Sequence, residues 1–209
     1  NNRGDVLGYS FISFLAPGLI AMSILTQSFS HSVSSLMISK IQGNIVDMLY
    51  APSSALEVSM AIILAALTRS FLIAIISIIV FSLIVEIPIN NFLYIFIFSF
   101  LSSFILGSLG FITGLWAEKF DHTATITNFV ITPLSFLSGA FYSIEKLPEF
   151  FQTISHINPF FYMIDGFRYG FLGASDGSIS IGILYLTILS FVMGFLAYYL
   201  YKVGYKIKS

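Results

Sequence analysis

Charged side chains in this sequence sit between long gaps. No Asp, Glu, Lys or Arg occurs from Val6 to Ser39, from Ile87 to Ala117, from His122 to Ile144 or from Gly177 to Tyr201. A fifth apolar stretch, Val58 to Val85, carries only Arg69. Each gap is long enough for the roughly 20 apolar residues that a helix needs to cross about 30 Å of hydrocarbon. The gaps place spans near 9–30, 63–85, 92–116, 124–143 and 179–201. Continuous apolar runs, as opposed to alternating segments, argue against a β-barrel. Hydrophobic residues make up 57% of the 209 and charged residues 9%, against about a quarter charged in a soluble domain. The sequence therefore reads as an all-α integral membrane protein forming a single transmembrane domain over 1–209.

The same composition excludes several function classes. A net charge of −1 leaves no basic footprint for nucleic acid. The absence of Cys removes disulfides, thiolate metal sites and a cysteine nucleophile. Lys and Arg near span ends set the orientation. Lys40, Lys119, Lys202, Lys206 and Lys208 fall on one side, and Arg3, Lys146 and Arg168 on the other with six acids. The lysine-rich side is expected to be cytoplasmic, which puts the C-terminus inside and Asn1 outside. The chain opens without Met or a signal-peptide pattern. A preceding first span is expected, making six in all.

Two connections have the composition of folded elements. In the cytoplasmic one, roughly Ser32 to Leu56, Ile45, Met48 and Leu49 follow the i, i+3, i+4 pattern of a short amphipathic helix. Asn44 is a candidate N-cap and Pro52 a stop signal. The external one, Ser143 to Asp176, holds two helix starts, at Pro148 and at Asn158-Pro159, and a stop at Gly173. A helix over 159–172 is about 21 Å long, too short to cross, which predicts a re-entrant or interfacial hairpin. Asp165 and Arg168 are three residues apart on that helix and are expected to pair.

At these residues the sequence resembles a known family. The stretch Thr132-Pro-Leu-Ser-Phe-Leu-Ser-Gly-Ala-Phe-Tyr-Ser143, then Leu147-Pro148, then His156-Ile-Asn-Pro-Phe-Phe-Tyr-Met-Ile-Asp-Gly-Phe-Arg-Tyr-Gly170 is similar to the signature of ABC-2 type transporter permeases. Phe14-Leu-Ala-Pro-Gly-Leu-Ile20 and Gly43-Asn-Ile-Val-Asp-Met-Leu-Tyr-Ala-Pro52 fit the same family. The resemblance runs through almost the whole chain and is greatest to small bacterial exporters of the nodulation-factor and daunorubicin type. It implies a multi-pass inner-membrane permease that dimerises with a second copy of itself and docks ATP-binding subunits. ATP and Mg would be bound by those subunits, with no cofactor in this chain. The 41–52 helix, with Asn44, Ile45, Asp47, Met48, Leu49, Tyr50 and Pro52, would be the coupling helix. The 144–173 hairpin, with Pro148, Asn158, Pro159, Tyr162, Asp165 and Arg168, would cap the pathway outside. Family substrates include drugs, lipid-linked glycans and polysaccharides, and the motif does not choose among them.

Polar side chains mark two helix faces. Thr125, Asn128, Thr132, Ser135 and Gly139 recur every three or four residues in one span. Ser23, Gln27, Ser30 and Ser34 do so in the first span and its extension. Such faces serve helix contact or a path for something not wholly apolar, and the resemblance assigns both to the dimer centre. Ser103, Gly107, Gly110 and Gly114 read as packing positions.

No Gly-x-x-x-x-Gly-Lys-Ser/Thr motif occurs, so ATP would have to be hydrolysed by another chain. The three histidines assemble no metal motif. Ser138 on an external helix end with His156 as base is a conceivable nucleophile pairing, but a helical Ser in a membrane is far more often a packing residue. Arg69 is either a substrate contact or an anchor. Its place about 25 Å below Glu86 favours snorkelling to headgroups. The leading function is the membrane subunit of an ATP-driven exporter of a lipid, glycan or drug-like substrate. An ATP-independent channel or ion-coupled transporter would need more intramembrane charge, and an intramembrane enzyme would need an assembled nucleophile or carboxylate pair.

Overall fold

The structure, a computed structural model, describes residues 8–85 and 87–206. Arg3, Asp5, Glu86 and Lys208, which entered the charge asymmetry, lie outside these. The described residues are helical with short connections and no strand. The first helix, α1 (Phe11–Ile41), starts where the Ser10 hydroxyl accepts the Ser13 N–H. It is 31 residues long, about 46 Å at 1.5 Å per residue, so the stretch after residue 30 continues as helix and is not a loop. A six-residue helix, α2 (Ile45–Tyr50), follows Gly43, whose φ of +78° turns the chain. Helix α3 (Ala55–Ser82) opens with a capping box. Ser54 Oγ accepts the Glu57 N–H, and the Glu57 carboxylate accepts the Ser54 N–H at 2.7 Å. Next comes α4 (Phe92–Trp116), capped by Asn91.

The fourth expected span, 124–143, departs from a continuous helix. It consists of α5 (Phe120–Ile126), a π-helical turn over Thr127–Ile131 and α6 (Thr132–Phe136). Pro133 explains the break in register. Its nitrogen cannot donate, and the wider turn, closed by Thr132 N–H to Thr127 O, carries the chain past the missing bond. The helix ends at Phe136, with Gly139 in the left-handed region at φ +74°. Gly139 is therefore in a turn, not on a helical face. A 3₁₀ turn (Ile144–Lys146), α7 (Glu149–Ile157), α8 (Pro159–Leu172) and α9 (Ile179–Lys202) complete the order. Four helices, α1, α3, α4 and α9, are long and apolar enough to cross a membrane by length and composition.

The bundle is built around α4, which packs against α1, α3, α9 and α8. Small residues make that packing close, as membrane helix pairs require. A Cβ on Gly110 would stand 2.4 Å from the Phe29 carbonyl oxygen and 3.0 Å from Ser32 Cβ. Ser70 and Ser103 hydroxyls bond at 2.8 Å across α3 and α4. Gly110→Ala should separate α1 from α4 and cost about 1–3 kcal/mol of overpacking, read as a lower thermal midpoint in detergent. An unchanged midpoint would mean that the α1–α4 contact is looser than these distances describe.

The termini of the long helices sort into two ends. At one, the Lys40 ammonium caps the C-terminus of α4, donating to the Leu115 and Ala117 carbonyls. Lys206 pairs with Glu118 at 2.9 Å at the same end. That hydrogen bond holds the Glu118 carboxyl below the usual carboxylate range, so the pair persists further into acid than an ordinary carboxylate would allow. At the other end, the Tyr9 hydroxyl donates to the Leu172 carbonyl at 2.7 Å, and the Asn90 and Asn91 N–H groups donate to the Gly170 carbonyl. Alternate crossings produce this sorting.

Candidate functional site

The segment from Ser143 to Asp176 holds the 3₁₀ turn, α7 and α8, the last two in contact with each other. Asn158 is its pivot. The Asn158 carboxamide oxygen accepts the Phe160 N–H, which caps α8, and its amide donates to the Leu134 carbonyl at 2.8 Å. Pro159 occupies the first turn of α8, and Gly173, at φ +70°, ends it. The helix occupies the 159–172 range read from the sequence. Pro148 sits one residue before α7, at its N-cap position. Tyr162 is half-buried, its ring edge-on to Tyr185 at 5.5 Å.

Asp165 and Arg168 do not pair as the spacing predicts. They are 2% and 1% exposed, and each turns to a different partner. The Arg168 guanidinium donates from one terminal nitrogen to the Gly139 carbonyl at 2.7 Å and the Ala140 carbonyl at 3.3 Å. It also lies 3.8 Å above the Phe14 ring. Gly18 makes room for this. A Cβ there would stand 2.6 Å from the Ala140 oxygen and 3.2 Å from the Arg168 nitrogen. The Asp165 carboxylate accepts the Asp176 and Gly177 N–H groups at 2.9 and 3.0 Å. Backbone groups left unpaired by the two turns outcompete the ion pair, because each would otherwise be a buried orphan. Arg168 thus ties α8 to α1 and to the turn after α6, and Asp165 ties α8 to the start of α9.

Asp176 adds a third tie, absent from the sequence reading. Its carboxylate accepts the Ser143 hydroxyl at 2.6 Å and the Ile144 N–H at 3.1 Å. Asp176→Ala should cost about 1–3 kcal/mol, measured as a lower unfolding midpoint, with Asp176→Asn retaining part of it. Equal midpoints for Ala and wild type would show that the tie is not maintained.

At the opposite end, α2 is amphipathic as its pattern requires. Ile45 is buried, and Met48 is half-buried against the cluster of Leu36 and Ile62. Val46 and Asp47 face outward, and Tyr50 is 86% exposed. The Leu49 side chain lies outside the described residues. Asn44 stands at the N-cap position but makes no side-chain cap; its amide donates to Gln42 Oε1 at 3.2 Å. Pro52 is exposed just beyond the helix. The helix is shorter than 41–52, because α1 continues through Ile41.

The two expected polar faces are only partly coherent. Ser23, Gln27 and Ser30 are half-buried along α1. Thr125 and Asn128 are exposed, Thr132 is half-buried, and Ser135 is buried, donating to the Ile131 carbonyl at 2.7 Å. The π-helical turn rotates the later residues relative to the earlier ones, so a strict helical period no longer holds. Phe129 beside them is 77% exposed.

The profile of the ABC-2 type transporter family matches residues 3–172. The chain belongs to this family. It is 33% identical over 192 residues to the inner membrane transport permease YadH of Escherichia coli, covering 91% of this chain and 75% of the relative. It is also similar to Nodulation protein J of Sinorhizobium fredii, at 27% over 210 residues, with 93% and 74% covered. Nodulation protein J of Neorhizobium galegae is 26% identical over 189 residues, with 89% and 72% covered. The chain is thus a membrane transport permease of the ABC-2 type.

Other sequence candidates resolve into structural contacts. Ser138 is buried and donates to the Ser135 carbonyl, while the exposed His156 packs edge-on against Phe161 at 5.2 Å. No hydrogen bond joins the two among the described residues, so this ABC-2 permease shows no Ser–His dyad there. Arg69 Nη1 lies 3.1 Å from His31 Nδ1, linking α3 to α1. Arginine only donates, so His31 Nδ1 accepts. The sequence reading missed this bond, and also Lys40 on the end of α4.

Proposed function

We propose that this chain is the permease subunit of an ATP-driven exporter in which α2 receives the stroke of a separate ATP-binding subunit. The observation that carries this reading is the one-sided anchoring of α2. Ile45 and Met48 pin it to the bundle, and Asp47 and Tyr50 are left outward. A helix held on its apolar side and open on its polar side can pass a push into α1 and α3, which flank it in the chain. Two copies would place the half-buried Ser23, Gln27 and Ser30 and the exposed Thr125 and Asn128 toward a shared path. The hairpin of α7 and α8 would close that path at the far end. The lysine-rich end, with α2, faces the cytoplasm of a bacterial inner membrane, and the substrate is a lipid, glycan or drug-like molecule.

Two experiments test the reading. The tagged permease should co-purify with an ATP-binding subunit, and Asp47→Lys with Tyr50→Ala should remove that subunit without lowering permease yield. Retention of the subunit by the double variant would place the contact elsewhere. Because the chain lacks Cys, single Cys replacements of the exposed Lys146 and Lys119 report orientation cleanly. An impermeant thiol reagent should label the Lys146 position in intact cells and the Lys119 position only after permeabilisation. The reverse pattern would invert the topology.

A further inference from the structure

A groove of about 470 Å³ runs between α3, α4 and α9, on the outside of the bundle. Its walls are apolar: Leu56 from α3, Phe100 and Phe104 from α4, and Phe191, Phe195 and Tyr198 from α9. Its α9 wall extends from Thr187 to Tyr198, about 17 Å at 1.5 Å per residue. A bilayer core is about 30 Å thick, so the groove is about one leaflet deep. It ends at the lysine-rich end of the bundle, since Leu56 opens α3 and Tyr198 lies one turn before Lys202. The Lys202 ammonium stands 5.5 Å from the Tyr198 ring centroid and has no carboxylate partner among the described residues. Lys206, by contrast, is held by Glu118.

We propose that this groove holds an acyl chain of an anionic phospholipid of the adjoining leaflet, with its phosphate at Lys202. Depth and charge both select this occupant. A membrane-spanning helix would need an apolar seat through both leaflets, whereas an acyl chain needs one. A cation at the mouth, at headgroup level, favours a phosphate with net negative charge over a zwitterionic headgroup. Stacked rings of Phe100 and Phe104, 6.3 Å apart, give the chain a smooth wall. The proposal needs only the membrane-embedded bundle and is independent of what α2 binds.

The test uses the full protein in phosphatidylcholine vesicles containing phosphatidylglycerol with a photoactivatable group on its acyl chain. After irradiation, adducts should concentrate on Phe100, Phe104, Phe191 and Phe195. The preference for phosphatidylglycerol over equally labelled phosphatidylcholine should fall about fivefold in Lys202→Gln, the loss of one interfacial cation. Lys206→Gln should leave that preference unchanged. Adducts spread evenly over the exposed faces of α3, α4 and α9 would overturn the proposal. So would a groove without adducts, meaning that protein covers it, or an undiminished preference in Lys202→Gln.

Discussion

Arg168→Ala should strongly destabilise the folded permease and lower its yield from the membrane. The side chain is buried and serves two carbonyls, at Gly139 and Ala140, while its guanidinium covers the Phe14 ring. Truncation leaves two buried acceptors unpaired, which together with the lost ring contact costs about 4 kcal/mol. A domain has about 5–15 kcal/mol in total, so the loss takes a large share of the margin. Arg168→Lys should rescue only in part, because an ammonium lacks the flat guanidinium that lies over the Phe14 ring. Asp165→Asn should be milder, since the amide oxygen still accepts one of the two N–H groups. The two losses should add apart from the Coulombic attraction between the two charges, because the residues hold different hydrogen-bond partners. Detergent-extracted yield and unfolding midpoints of the three single variants and the double variant check this. Recovery in the double variant would mean that the two charges pair after all.

The second large effect is expected in α2. Met48→Pro removes the N–H that reaches the Asn44 carbonyl and sets a ring against that carbonyl, in a helix of only six residues. The penalty is about 3 kcal/mol, more than one turn of helix can absorb. Because α2 has one anchored side, its loss should leave the bundle folded and sever its link to the ATPase. Transport should fall by at least tenfold, and the ATP-binding subunit should no longer co-purify with the variant. Normal export by Met48→Pro at normal expression would remove α2 from the mechanism.

These residues show where a sequence alone is informative. The bounds of α8 were legible because Asn-Pro at its start and Gly at its end act through local backbone chemistry. The amphipathic face of α2 was legible for the same reason, since three- and four-residue spacing places Ile45 and Met48 together. The partner of Arg168 was not legible. It lies 28–29 residues back in a turn, and its attraction is to main-chain carbonyls, which every residue carries. Local spacing therefore pointed to Asp165, three residues away, and the tertiary backbone demand prevailed. The span expected over 124–143 was overextended by hydropathy. Ser138-Gly139 is a helix-stop signal that the apolar run concealed. The π-helical turn before Pro133 has no periodic signature, and it divides the polar face that strict helical counting had joined.

On the proposed function, α2 is the surface on which an ATP-binding subunit acts. A photo-crosslinking amino acid at Tyr50, which is 86% exposed, tests this in intact cells. The expected result is one dominant adduct containing an ATP-binding subunit, absent when the same amino acid replaces Tyr142 at the opposite end. An adduct-free Tyr50 in a permease that still exports, or an equal adduct from Tyr142, would contradict the account.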